Sequence, residues 1–229
     1  MTFQHSDHAG TVLDEALLAV LYFRGESQAL RHRIAEVEFA IAGLMPDRAI
    51  EAAGLLGVTP DLLAGALLVK EAAAQIDVIL HAAGIVASIP YILEPEERIE
   101  YVSLGAGNTG RAHDLETDRQ VAEFKFIHWH GGAESVRQDS LLIDLFHLAV
   151  SQTTKARRIY LTGIAVPMRF LEGSRRDLRT ALARRPGVPE QFNKVYGDNF
   201  VTVRDYWAAI RDQVEVIDLE SLVPTLLRT

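Results

Sequence analysis

Two short runs of β-forming residues flank Asp118-Arg119, and they constrain this chain more than any other stretch. Residues 111–117 and 120–128 have the length and alternation of strands. A two-residue connection at 118–119 sets Thr117 opposite Gln120, Leu115 opposite Ala122 and Asp114 opposite Glu123. Opposed residues share a face, with Cβ atoms about 4.5–5.5 Å apart. Alternation carries Lys125 to the Glu123 face as well. A four-residue connection keeps this register, and a three-residue connection breaks it by one. Asp-Arg is not one of the pairs that tight hairpin turns favour, which are Asn-Gly and Asp-Gly.

Two facing carboxylates repel unless a proton or a cation neutralises them. Hard oxygen ligands with spare coordination positions suit Mg²⁺, or Mn²⁺ in its place. A cation held by Asp114 and Glu123 lowers the pKa of a bound water, and Lys125 orients the nucleophile or stabilises charge at an attacked phosphorus. The chemistry expected is metal-assisted phosphodiester hydrolysis. Glu116, two residues beyond Asp114 on the same face, is either an accessory ligand or a solvent-facing carboxylate.

Asp114 followed by Glu123-Phe124-Lys125 resembles the PD-(D/E)XK phosphodiesterase superfamily, the restriction-endonuclease-like proteins. Glu123-Phe124-Lys125 matches the second half of that pattern, while His113 stands where proline precedes the aspartate. The expected element order agrees. A helix at 61–88 precedes strands at 98–104, 111–117 and 120–128, then come a helix at 135–152 and a strand at 157–163. The resemblance implies an α/β fold with an α-β-β-β-α-β core, a mixed central sheet flanked by helices. It implies Asp114, Glu123 and Lys125 as catalytic residues, with Asp114 and Glu123 on the metal. It adds Glu71 on the first core helix as a further metal ligand, with Asp77 as its substitute. It also adds Gln138 at the start of the helix after the hairpin. An N-terminal helical extension (1–60), a nuclease-like core (61–165) and a C-terminal addition (166–229) are expected to pack as one compact domain.

The rest of the chain reads as support. Apolar residues recur at helical spacing through 11–44, broken at Gly25-Glu26-Ser27, which predicts a helix pair with Ser27 capping the second. Thr59-Pro60-Asp61 is a helix start. Apolar residues circle the 61–88 segment, which predicts a central buried helix. On it, Asp77 and His81 are spaced to pair along the helix surface. Val78–Leu93 is the most apolar run, but it holds His81 and Pro90 and is short for a membrane span. Gly105–Gly110 spells G-x-G-x-x-G after a strand. A dinucleotide site needs a helix to begin there, and the residues that follow predict a strand. The stretch is then either a plain glycine-rich connection or a loop that contacts a phosphate backbone through N–H groups and Asn108. His128-Trp129-His130 ends the third strand, with packing or base stacking as its roles. Val201–Gln213 is expected to be helical and Val214–Leu219 a strand.

The net charge of −8 disfavours a freestanding non-specific nucleic-acid binder. Arg169, Arg175, Arg176, Arg179, Arg184 and Arg185 nonetheless cluster late in the chain, where they are either a solvated face or a phosphate contact. The partner expected is nucleic acid, with DNA in first place and no membrane. A homodimer through the N-terminal helices is a further expectation. The chain has no cysteine, which fits a reducing, cytoplasmic setting. MTFQHSDHAG has neither the basic nor the apolar segment of a signal peptide. The function expected is a metal-dependent nuclease. The alternative is a non-catalytic nucleic-acid-binding or regulatory module that keeps the fold.

Overall fold

Helical periodicity in the first ninety residues becomes five helices, and the β-type runs after them build one sheet. The computed structural model describes residues 7–26, 29–105, 113–129 and 134–226. The chain divides into two compact units, Met1–Asp77 and Val78–Thr229. Ser27, the loop from Ala106 to Ala112 with its Asn108, and His130 lie outside the described residues.

The first unit holds α1 (Asp7–Arg24), α2 (Ala29–Ile41), α3 (Pro46–Leu55) and α4 (Pro60–Ala73). Gly25, at φ +59°, follows the last residue of α1, a conformation that costs glycine little. The start of α4 is built as its sequence predicts. Thr59 Oγ1 accepts a hydrogen bond from the Leu62 N–H at 3.1 Å, and Pro60 takes the first position. The α1 and α4 backbones come close where Ala16 meets Gly65; a Cβ on Gly65 would lie 3.3 Å from the Ala16 backbone. Ala16 and Gly65 are the only buried positions among the described residues of these four helices. Leu18, Tyr22, Phe39, Leu55 and Leu63 are exposed.

The single buried helix expected over 61–88 is instead two segments, α4 and α5 (Ile76–Ile92), with a turn at Ala74-Gln75. There the Gln75 N–H reaches back only three residues, to the Ala72 carbonyl. Neither segment is buried all round. Gly65 is the one buried position in α4, and α5 buries Gly84, Ile85, Ser88 and Ile92. Taken together, Pro60–Ile92 is long and apolar enough to cross a membrane by length and composition, and 17% of its most apolar window is buried. Pro90 lies inside the last turn of α5, which ends two residues later.

The second unit is α/β. Its five-stranded mixed sheet has the spatial order β1 (Ile99–Val102), β2 (Leu115–Thr117), β3 (Gln120–Lys125), β4 (Ala156–Leu161), β5 (Glu215–Asp218). The first three strands form an antiparallel meander, while β3–β4 and β4–β5 are parallel. A parallel neighbour needs a crossover, and α6 (Glu134–Val150) supplies it between β3 and β4. Between β4 and β5 come α7 (Ala165–Gly173), α8 (Leu178–Leu182), α9 (Val188–Tyr196) and α10 (Val203–Ile210).

Alternation along β3 sorts its side chains between two cores. Val121 joins Ile159, Leu161 and the buried leucines of α6, with Phe192, Val203 and Tyr206 from the later helices. Ala122, Phe124 and Phe126 join Leu115, Tyr160 and Leu219, and Ile85 and Ile92 of α5 cover them. Gly84 lets α5 lie this close, since a Cβ there would sit 2.5 Å from the Phe126 ring. β2 and β3 are shorter than the 111–117 and 120–128 expected. The pair separates just before Leu115, and that separation creates the site.

Candidate active site

The β2–β3 turn is the unfavoured Asp118-Arg119 pair, and its neighbours hold it. Thr117 Oγ1 accepts from the Arg119 and Gln120 N–H groups at 3.0 and 2.9 Å. The same hydroxyl donates to Glu97 Oε1 at 2.5 Å. Asp118 exchanges two hydrogen bonds with the Arg98 backbone, both 3.0 Å. With the loop fixed at two residues, Leu115 pairs with Ala122 and Glu116 with Val121. That is the register read from the sequence, and it sets Asp114 against Glu123.

At Asp114 the ladder changes character. Its N–H still donates to the Ala122 carbonyl at 3.1 Å. The next N–H along β3, that of Phe124, donates to the Asp114 side chain, Oδ2 at 3.0 Å. The carboxylate thus stands in for a main-chain acceptor where the strands part. Its other oxygen, Oδ1, lies 3.3 Å from His81 Nε2 on α5. Burial alone would raise the Asp114 pKa. The His81 contact, the Phe124 N–H and the Lys125 charge outweigh it and hold the carboxyl below its ordinary value.

Glu123 has the opposite environment. It is 7% exposed. Burial, the Asp144 and Asp114 charges, and a hydrogen bond with Asp114 push its carboxyl well above the ordinary range. His113 Nδ1 stands 3.5 Å from Glu123 Oε1, and burial pushes that imidazole down. One carboxylate of the pair is therefore ionised and the other is disposed to keep a proton. Lys125 extends from β3 towards α6, where its Nζ is 2.5 Å from Asp144 Oδ2. Burial opposes its charge, but Asp144, Glu123 and Asp114 together raise its pKa above that of a free lysine.

The other sequence candidates have surroundings of their own. Glu71 is exposed on α4 and belongs to the first unit, whereas Asp114, Glu123 and Lys125 belong to the second. Gln138, the fifth residue of α6, accepts a hydrogen bond from Arg176 at 3.3 Å. Asp77 does not take His81 as its partner; His81 turns to Asp114 instead. Glu116 is held by Lys155 at 2.9 Å, which also binds Glu100. His128 pairs with Glu220 at 2.6 Å, beside Gly163, where a Cβ would meet the imidazole at 2.5 Å. Trp129 is buried against Phe170. Of the arginines, Arg176 and Arg184 flank Asp139 and Arg179 pairs with Asp198.

Sequence reasoning missed Asp144 and the His81–Asp114 contact. Asp144 had a signal: it lies three residues after Leu141 and four before Leu148, on the inward side of an amphipathic helix. His81 had none, because its partner comes from a distant strand.

No family model, curated protein or solved structure matches the chain.

The donor chemistry fits a hard divalent cation. Asp114 and Glu123 offer adjacent carboxylate oxygens, and the neighbouring Asp144 and Asp114 charges that push the Glu123 carboxyl up make positive charge favourable there. Among the described residues, no group of three or more His, Asp or Glu side chains is placed to hold a metal ion.

Proposed function

We propose that this protein is a divalent-metal-dependent phosphodiesterase that cleaves nucleic acid, with DNA as its substrate. The observation that carries this reading is the hairpin register. It sets the half-buried Asp114 and the buried Glu123 side by side, with the Lys125 ammonium on the same strand face two residues on. The strand order and the helix between β3 and β4 agree with the α-β-β-β-α-β core of the PD-(D/E)XK proteins that the motif resembles.

Asp114 and Glu123 would hold Mg²⁺ or Mn²⁺. When bound, the cation supplies positive charge to the phosphate oxygens and acidifies water for attack. The residues do the remainder. His81 and the Phe124 N–H fix both oxygens of Asp114. Glu123, if protonated, would have to release that proton to solvent to hold the cation. Lys125 remains an ammonium, so it acts on charge that develops at the phosphate and not as a base.

The test is cleavage of single- and double-stranded DNA and of RNA, with Mg²⁺ or Mn²⁺, by the wild type and by Asp114→Asn. Metal-dependent cleavage lost in the variant supports the proposal. A folded wild type that neither cleaves nor binds Mn²⁺ would sink it and leave the non-catalytic module.

A further inference from the structure

Asp144 occupies a position that its helix pattern assigns to an apolar residue. Leu141, Leu145 and Leu148 around it are buried, and Asp144 itself is 9% exposed. A carboxylate there costs free energy unless it is paired. Its partner is the Lys125 ammonium, 2.5 Å away. Three carboxylates act on that ammonium, yet among the described residues its ion pair is with Asp144, on the α6 side, and not with Asp114 or Glu123.

A flexible lysine beside two carboxylates would ordinarily neutralise them itself. An ammonium lying on Asp114 and Glu123 would compete with a cation for the same oxygens. We infer that Asp144 is a positioning residue, which holds the Lys125 ammonium beside the Asp114–Glu123 pair but off its oxygens and so leaves them open to a divalent cation. This inference rests on the metal-dependent reading above. A buried ion pair serving stability alone also costs stability when broken, but it predicts no link between Lys125 and cation affinity.

Calorimetric titration of the full chain with Mn²⁺ separates these cases without any substrate. Asp144→Asn frees Lys125 to turn inwards, and Mn²⁺ is expected to bind about tenfold more weakly, the scale typical of residues that orient metal ligands. Adding Lys125→Met to Asp144→Asn removes the competitor, and wild-type affinity should return. Asp144→Glu keeps the ion pair and provides a variant that folds if the asparagine does not. It pushes the ammonium one methylene towards the carboxylates and should weaken Mn²⁺ measurably. Unchanged affinity in both single variants, or weakness that persists in the double variant, overturns the inference and leaves the metal reading in place. A folded wild type that binds no Mn²⁺ overturns the metal reading, and the inference falls with it.

Discussion

Lys125 sits among three carboxylates, and its nearest contact is with the one the hairpin does not carry. An ammonium so surrounded stays charged, which separates two roles that a lysine can fill at a phosphodiesterase site. If it stabilises charge, Lys125→Arg retains part of the activity, whereas Lys125→Ala loses about 10²-fold or more. If it were the base, both variants would be equally inactive. Steady-state cleavage rates of the two variants decide between them. Arginine's larger fork changes the fit beside Asp144, so the retained activity is expected to be partial.

Among elements, the β2–β3 hairpin depends on residues outside its turn. Gln120 is fully buried, and its amide donates to Glu97 Oε1 at 2.8 Å. Burial would raise the Glu97 pKa, but the Thr117 and Gln120 hydrogen bonds hold it below the ordinary 4.5. A carboxyl depressed on folding contributes stability that is present above its unfolded pKa and is lost as pH falls through the folded one. Glu97→Ala is therefore expected to cost about 1–3 kcal/mol at neutral pH, because the Gln120 amide and the Thr117 hydroxyl each lose their acceptor on Glu97. The difference from wild type should shrink below pH 4.5, as measured by urea unfolding across pH. At the other layer, α5 rests on the sheet through Gly84. Gly84→Ala puts a methyl into the Phe126 ring, and an overpacking cost of about 1–3 kcal/mol is expected from the same unfolding measurement.

At the scale of the molecule, the two units differ in what they bury. The second has a core on each face of its sheet. Among described residues, the helices of the first bury only Ala16 and Gly65, while Leu18 and Tyr22, spaced i,i+4 on α1, are 65% and 80% exposed. Apolar surface of this extent calls for a cover. The first unit has 11 acidic and 5 basic residues, a net −6 that disfavours nucleic acid and anionic membrane as that cover. A second copy of the chain, proposed from the sequence, is one cover that can be tested directly. Sedimentation should show species above monomer mass, which Leu18→Glu with Tyr22→Glu reduces. An unchanged mass distribution would mean that this face is not the contact.

Local rules were enough for the hairpin. Loop length and period two depend on neighbours in sequence, so the Leu115–Ala122 register and the meeting of Asp114 with Glu123 followed from the residues alone. The element order followed in the same way. Tertiary structure decided what local periodicity cannot carry. It brought His81 to Asp114 from the opposite face of the sheet and gave Lys125 to Asp144 in preference to Glu123. It also divided the 61–88 segment and left much of its apolar surface uncovered. A hydrophobic pattern states which side chains avoid water, but only packing between distant segments determines which of them find a partner.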